Sequence, residues 1–359
     1  MESCIHQVFR RMAGYDRITL VSRAHPKLPR SSRSAQGRYH IVRVPSASPQ
    51  AYIRAALRKV RGSTFDIIQV ENRPAFIPAV RRAFPHGTIV LSLHSLTFMS
   101  KLSRSRAHAI LDQVDGVATV VSFLSETMKR KYPRYAHKFR SAKLGVDTGQ
   151  FRPGSRSYKQ MLRKKWGVSG SFNVLFVGRI VPKKGLHTLV RAVAQVKKRY
   201  PRTKLIAVGA SWPGKHHETP YMRKVRLLSK RLGVPIRFTG YIPPARVHQM
   251  FQLADVFVCP TQYREGFATV NSEAMASGIP VIASNRGGIR EVIRSGRSGL
   301  LVSDYNNPRA FASAILRMKR SPGLAKKLIA GGFHTVKAKL SWHGTVRTLR
   351  KHYRKWRRS

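Results

Sequence analysis

Two glutamates, Glu265 and Glu273, have a spacing that can place two carboxylates at one ligand site. They lie in a stretch that reads as a strand at Asp255–Cys259, a loop, a helix at Ala268–Ser277 and a second strand at Val281–Ala283. A strand–helix–strand unit predicts a parallel sheet, whose ligands bind outside the carboxyl ends of the strands. We therefore expect Glu265 on a loop at that end and Glu273 about two turns into the helix.

The residues beside Glu265 suit a phosphorylated ligand. Gly266 has no side chain and lets the backbone approach a ligand closely. The amides of Gly266, Phe267 and Ala268 are expected to open the helix toward a phosphate. A carboxylate can accept both hydroxyls of a vicinal diol, as on ribose or a sugar ring. The alternative is that both glutamates are solvent-exposed residues without a ligand.

The distribution of charge sets this stretch apart from the rest of the chain. The chain carries 69 Lys and Arg residues against 14 Asp and Glu residues, a formal net charge of +55. Between Asp255 and Asn285, however, the only basic residue is Arg264. Burial explains much of this deficit, and a site that needs free carboxylates explains the rest.

A second group of candidate ligands follows the apolar strand Phe172–Val177. Gly178 and Arg179 come directly after it, and Lys184 lies in the same strand-to-helix loop. Because arginine offers a planar pair of donors and lysine a compact charge, this loop suits a diphosphate. In so basic a chain, the residue types alone do not establish the site.

Three further candidates follow predicted strands. His94 comes after Thr88–Leu93, where an imidazole can bind a hydroxyl or share a proton at neutral pH. A lone histidine is otherwise a structural residue. Tyr241 and Ile242 come after Ile236–Gly240 and are expected to border a nucleotide base.

Composition limits the class of protein. A chain of 359 residues is long enough for about two domains, and its two cysteines favour a reducing compartment. No apolar run reaches the ~18 residues of a transmembrane span, and the N-terminus lacks the apolar segment of a signal peptide. We therefore expect a cytoplasmic protein. The adjacent His216 and His217 do not have metal-site spacing.

The basic residues are spread over nearly the whole chain, and no recognisable nucleic-acid module accompanies them. This pattern favours non-specific binding to polyanions at low salt over a dedicated nucleic-acid function.

Several motifs occur together in a recognisable order. GRIVPKKG at 178–185, the two glutamates and IPVIASNRGG at 279–288 resemble retaining GT-B glycosyltransferases, specifically glycosyltransferase family 4. Within it, FDIIQVENRPAFIP, VLSLHSLTF and GASWPGK resemble the spore coat protein SA type of bacilli. The resemblance covers nearly all of the chain.

This resemblance implies an α/β fold of two Rossmann-like, doubly wound domains that face a cleft. It implies transfer of a sugar from a nucleoside-diphosphate sugar to an acceptor hydroxyl, with retention, in spore coat or cell-surface polysaccharide biosynthesis. The acceptor is a glycan, a lipid or a protein. The family has no Asp-x-Asp metal motif and none occurs here, so neither a metal nor another cofactor is expected.

The resemblance also implies roles for individual residues. Arg179 and Lys184 would stabilise the leaving diphosphate. Glu265 would hold the donor sugar and Glu273 the ribose hydroxyls, and His94 would contact the sugar from the other domain.

The expected domains are an N-terminal acceptor-side domain at 1–150, a nucleotide-sugar domain at 155–337, and a basic helix at 338–359 that crosses back to the first domain. The chain opens with a helix at 4–13. The strand and Gly-rich turn that normally precede this helix are absent from the sequence. We expect the first domain to be truncated at its start; the alternatives are a misassigned start codon and a domain that lacks its first strand. The alternative function is a catalytically impaired, coat-associated structural protein that binds an anionic polymer.

Overall fold

The computed structural model describes residues 2–212 and 218–357. The chain divides into two compact units, which we call the N-terminal unit and the C-terminal unit. The N-terminal unit contains the chain up to Leu144 and from Trp342 onward, and the C-terminal unit contains Gly145–Ser341.

Two sequence predictions extend beyond the described residues. The predicted polar loop that contains His216 and His217 lies partly outside them. The predicted C-terminal helix at 338–359 includes Arg358 and Ser359, which also lie outside them.

The N-terminal unit contains two sheets. Its larger sheet has the order β4-β5-β6-β7 with all strands parallel, and its smaller sheet has the order β1-β3-β2, in which only β2 is antiparallel. The strands are β1 (Ile18–Arg23), β2 (Ser31–Arg33), β3 (Tyr39–Val44), β4 (Ile67–Glu71), β5 (Thr88–Leu93), β6 (Gly116–Thr119) and β7 (Phe139–Ser141).

The C-terminal unit contains one six-stranded parallel sheet of order β10-β9-β8-β11-β12-β13. Its central strands are largely apolar and buried, as expected for parallel strands covered by helices on both faces. The strands are β8 (Phe172–Val177), β9 (Thr203–Val208), β10 (Ile236–Gly240), β11 (Val256–Cys259), β12 (Val281–Ser284) and β13 (Leu300–Val302). Burial raises the pKa of the Cys259 thiol to about 12, consistent with a small apolar role.

Helices connect the strands in both units, and each unit is a Rossmann-like α/β layer structure. Among the described residues, no helix is both long enough and apolar enough to span a membrane. The helices are α1 (Glu2–Met12), α2 (Pro49–Lys59), α3 (Ile77–Ala83), α4 (Arg104–Asp112), α5 (Ser122–Lys131), α6 (Arg156–Lys165), α7 (Leu186–Arg199), α8 (Pro220–Arg231), α9 (Val247–Phe251), α10 (Val270–Ala276), α11 (Ile289–Val292), α12 (Pro308–Arg320), α13 (Pro322–Lys339) and α14 (Trp342–Trp356).

The last helix, α14, packs in the N-terminal unit. It buries one apolar stripe, which ends at Tyr353 and Trp356. Arg350 forms two hydrogen bonds with the Asp16 carboxylate, at 2.9 and 3.2 Å. The Trp356 ring occupies the space above Gly116 so closely that an added Cβ would lie 2.1 Å from its Cδ2 atom.

We expect Gly116→Ala to lower the free energy of unfolding by ~1–3 kcal/mol, because the Trp356 ring must move to admit a methyl group. Urea unfolding followed by circular dichroism measures the change. Gly323→Ala is the matched control, since Gly323 has no atom within 4 Å of an added Cβ. Equal stability of the two variants would contradict this account of how α14 packs.

Candidate functional site

Glu265 lies in the loop after β11 and is almost completely buried, with 5% of its surface exposed. Lys184 Nζ donates to its Oε1 over 2.5 Å, and the Thr261 hydroxyl donates to the same oxygen over 3.1 Å. The Tyr263 hydroxyl donates to Oε2 over 2.5 Å. A buried carboxylate requires such partners, because removing it from water without them is costly. The three donors hold Glu265 in one orientation.

Tyr263 and Thr261 are site residues that the sequence interpretation missed. Burial raises the pKa of the Tyr263 hydroxyl, and the charge of Glu265 raises it further, so that the hydroxyl stays a neutral donor. The Tyr263 ring also lies below two ammonium groups, 4.9 Å from Lys183 Nζ and 5.4 Å from Lys184 Nζ. Threonine and tyrosine are common residue types, so the sequence does not single out these two. Their position a few residues before Glu265 was the one usable indication.

Glycines allow the loops after different strands to meet around Glu265. Gly185 has φ +74°, and an added Cβ there would lie 1.9 Å from the Pro260 carbonyl oxygen. Gly287 has φ +61°, and an added Cβ would lie 2.4 Å from the Glu265 carbonyl oxygen. The next amide, that of Gly288, donates to that same carbonyl over 2.9 Å. Only glycine fits both positions.

A group of cations lies beside this carboxylate. Arg179 lies two residues after the end of β8, and Lys183 and Lys184 lie in the same connection. Burial lowers the pKa of Lys183, and the charges of Arg179 and Lys184 lower it further. The Arg179 guanidinium lies 5.4 Å from the ring of Trp212, which is 57% exposed. Because positive charges are concentrated here, an anion such as a diphosphate would be stabilised.

The predicted residues Gly178, Tyr241 and Ile242 follow β8 and β10, the two strands on either side of β9. The Gly178 amide donates to the Val208 carbonyl over 3.0 Å, and β10 ends directly before Tyr241. Both Tyr241 and Ile242 are half-buried. In the part of the chain that the structure describes, neither side chain hydrogen-bonds to the group around Glu265.

The predicted helix start is wrong by two residues. Helix α10 begins at Val270, so the amides of Gly266, Phe267 and Ala268 belong to the preceding turn. This turn buries Phe267 in the core and holds Ala268 at φ +56°, a conformation that alanine rarely adopts. Glu273 consequently lies in the first helical turn, and the prediction of two turns is also wrong.

Glu273 has an environment different from that of Glu265. Burial raises the pKa of its carboxyl to about 7, although a hydrogen bond from Thr269 acts in the opposite direction. Among the described residues, the two carboxylates share no hydrogen-bond partner. Glu273 is therefore balanced between its neutral and ionised forms near neutral pH.

His94 belongs to the N-terminal unit, where it directly follows β5. Its Nε2 atom lies 3.0 Å from Oε2 of Glu71, and its backbone amide donates to Asn72 Oδ1 over 3.3 Å. Asn72 has φ +54°. The sequence interpretation missed Glu71, although a carboxylate at the end of the strand beside β5 was a usable signal.

The sequence matches a known protein family and named relatives. The pattern of the family described as "Glycosyl transferases group 1" matches residues 159–335. A relative named "Putative glycosyltransferase YtcC", from Bacillus subtilis (strain 168), is 33% identical over 93% of this chain and 82% of the relative. "Spore coat protein SA" of the same organism is 29% identical over 94% of this chain and 90% of the relative.

Solved structures share the fold over nearly the full chain. Anabaena Alr3699/HepE, determined in complex with UDP-glucose, superposes with a TM-score of 0.81 at 18% identity, covering 99% of this chain and 95% of that one. Sucrose-phosphate synthase (tll1590) from Thermosynechococcus elongatus superposes with a TM-score of 0.80 at 23% identity, covering 98% and 91%. The fold is GT-B, with two Rossmann-like domains. With these matches and the motifs described above, the chain belongs to the group 1 glycosyltransferases.

Proposed function

We propose that this chain transfers a sugar from a nucleoside-diphosphate sugar to an acceptor hydroxyl. The observation that carries this proposal is the meeting of three cations, Arg179, Lys183 and Lys184, with the buried carboxylate of Glu265. They follow β8 and β11 at the carboxyl edge of a parallel sheet, where ligands bind. The cations suit a diphosphate and the carboxylate suits sugar hydroxyls. The UDP-glucose bound to Anabaena HepE supports this class of donor.

The reaction breaks the bond between the anomeric carbon and the diphosphate oxygen, and it forms a bond from that carbon to the acceptor oxygen. The proton of the acceptor hydroxyl passes to the leaving diphosphate. Negative charge develops on the diphosphate, where Arg179 and Lys184 stabilise it. The proposed mechanism retains the anomeric configuration by front-face attack, as in glycosyltransferase family 4, and it assigns no protein nucleophile. Since side chains supply the positive charge, the proposal includes no metal.

Lys184 has two roles in this proposal. Without donor, its ammonium group pairs with Glu265 at 2.5 Å. When donor binds, the diphosphate competes for this ammonium group, and Glu265 becomes available to accept a sugar hydroxyl. The hydrogen bonds from Thr261 and Tyr263 keep the carboxylate oriented during this exchange.

The remaining donor contacts are assigned from position. In the proposal, the turn amides of Gly266, Phe267 and Ala268 lie against the phosphates. Gly178, which follows β8, also belongs to the donor site. Tyr241 and Ile242 border the base.

In this proposal, different carboxylates of the protein bind the two ends of the donor: Glu265 binds the sugar and Glu273 binds the nucleoside. Glu273 accepts the ribose hydroxyls in this proposal, and His94 contacts a sugar hydroxyl.

For the biological role, we propose spore coat or cell-surface polysaccharide synthesis in the cytoplasm, with a glycan, lipid or protein acceptor. The similarity to spore coat protein SA supports this setting. The alternative of a structural polymer binder has no support among these relatives, one of which carries a glycosyltransferase name.

The affinity for a nucleoside-diphosphate sugar is expected to rise about tenfold between roughly pH 6 and pH 8, the most that one carboxyl titrating near 7 can contribute. Only the ionised form of Glu273 can accept both ribose hydroxyls. The stability of the free protein depends on pH in the opposite direction. Folding raises the pKa of the Glu273 carboxyl from 4.5 to about 7, so its contribution to stability falls as the pH rises from 4.5 to about 7.

Calorimetric titrations at several pH values measure this dependence. Nucleoside-diphosphate sugars are the right probe, since their diphosphate does not titrate in this range. Glu273→Gln should remove the dependence, whereas Glu218→Gln, in the same unit and paired with Arg226, should keep it. An affinity of the unmodified protein that is independent of pH would contradict the role of Glu273.

The function itself is tested first by a thermal-shift screen with UDP, GDP, ADP and their common sugars. We expect one nucleotide class to raise the unfolding temperature, with the shift reduced in Glu273→Ala. Transfer assays with that donor follow. A folded protein that binds none of these nucleotides would overturn the proposed function.

A further inference from the structure

A chain of four hydrogen-bonded side chains runs through the N-terminal unit. The Tyr353 hydroxyl of α14 donates to Gln69 Oε1 over 2.6 Å. Gln69 Nε2, on β4, donates to Glu71 Oε1 over 2.6 Å. Glu71 Oε2 then lies 3.0 Å from Nε2 of His94, which follows β5. The C-terminal helix is thus connected to the imidazole through one strand.

The order of donors along this chain is determined by chemistry. A glutamine Oε1 can only accept, so the tyrosine must donate, and the amide nitrogen of Gln69 then faces Glu71. An ionised carboxylate also only accepts. Burial would raise the pKa of Glu71, but hydrogen bonds from His94, Gln69 and Ser92 lower it below the ordinary value. The proton between Glu71 and His94 therefore belongs to Nε2.

The other ring nitrogen has a different environment. Among residues 2–212 and 218–357, no protein group hydrogen-bonds to Nδ1 of His94. The wall of the adjoining cavity includes His94 and Cys4 of α1. A neutral imidazole that carries its proton on Nε2 has a lone pair on Nδ1.

We propose that Tyr353, Gln69 and Glu71 are positioning residues that fix His94 in the Nε2–H tautomer, so that Nδ1 accepts a hydrogen bond from a sugar hydroxyl. The tautomer follows from the described contacts alone, and the sugar contact rests on the proposed function. Helix α14 thereby contributes to the site through Tyr353, although its own side chains need not touch a ligand.

The full-length protein labelled with ¹⁵N-histidine provides the test. Long-range ¹H–¹⁵N spectra at about pH 9, above the ordinary titration range of an imidazole, distinguish the two neutral tautomers. His94→Gln assigns the signal. We expect the Nε2–H tautomer in the unmodified protein.

Glu71→Gln is the informative variant. Its carbonyl oxygen keeps the donor from Gln69, so its amide nitrogen must face His94 Nε2, and the proton is expected to move to Nδ1. Tyr353→Phe leaves the amide of Gln69 free to flip and so releases the orientation of Glu71. Because the ionised carboxylate still only accepts, we expect the Nε2–H tautomer to persist with a broadened His94 signal. Glu126→Gln, at the exposed partner of Lys129 in the same unit, is the matched control and should change nothing. An Nδ1–H tautomer in the unmodified protein, or an unchanged signal in Glu71→Gln, would overturn the proposal.

The contribution to sugar transfer is measured separately. Glu71→Gln should slow transfer by about tenfold, the effect of losing one hydrogen bond in the transition state, without weakening calorimetric binding of the free nucleoside diphosphate. A changed tautomer with an unchanged transfer rate would overturn the sugar contact. If the unmodified protein transfers no sugar, the proposed function fails. The tautomer of His94 measured by NMR still tests the positioning residues independently of that outcome.

Discussion

Replacing Lys184 by alanine is expected to reduce the rate constant for sugar transfer by ~10²–10³-fold, the effect of removing one preorganised charge from a site where negative charge develops. In the structure, Lys184 lies at the carboxyl edge of the C-terminal sheet, with its Nζ atom 2.5 Å from Oε1 of Glu265. Initial rates with the donor found in the binding screen measure the loss. Arg179→Ala should have an effect of the same order, because Arg179 lies in the same connection between β8 and α7.

The Lys184 variant has a second consequence that must be separated from the first. Without the ammonium group, the buried carboxylate of Glu265 loses its counter-charge, and the free energy of unfolding is expected to fall by about 3 kcal/mol. Adding Glu265→Gln should restore much of this stability but none of the transfer. Lys198→Ala, which removes an exposed lysine of α7, is the control for net charge. Full transfer activity in an Arg179→Ala, Lys184→Ala double variant would refute the diphosphate assignment.

Gly287→Ala is expected to disrupt the loop of Glu265, lowering the free energy of unfolding by ~1–3 kcal/mol and abolishing measurable donor binding. The added Cβ would lie 2.4 Å from the Glu265 carbonyl oxygen and 2.8 Å from its nitrogen. Because both are backbone atoms, no side-chain rotation relieves the contact. The hydrogen bond from Gly288 to Glu265, 2.9 Å long, would be lost with the displacement.

The control for this variant is Gly296→Ala. Gly296 has φ +74°, so alanine is strained there as at Gly287, but nothing lies within 4 Å of an added Cβ. The difference between the two variants in calorimetric affinity and in thermal unfolding isolates the contact with Glu265. Equal donor affinity in both variants would show that the close approach of Gly287 does not shape the site.

The sequence by itself determined the fold class and the family. Apolar strands alternate with amphipathic helices, and this alternation predicts parallel sheets because parallel strands need a long crossover connection, usually a helix. The same local patterns placed Arg179, Lys184 and Glu265 at strand ends, and the structure brings Lys184 and Glu265 into direct contact. Periodicity and turn residues are local properties, so they can be read without tertiary contacts.

Only the tertiary structure decided which groups surround these residues. The start of α10 at Val270 depends on the burial of Phe267, and a helix-forming sequence from Ala268 onward cannot show that burial. The hydrogen bonds from Thr261 and Tyr263 to Glu265 likewise depend on tertiary contacts. The raised pKa of Glu273 depends on the burial of its side chain.

The clearest case is the connection from Tyr353 through Gln69 and Glu71 to His94, which joins residues as far as 284 positions apart in the chain. Such contacts form only when helices and strands are packed, because hydrogen-bond partners and desolvation depend on distances in space and not on spacing along the chain.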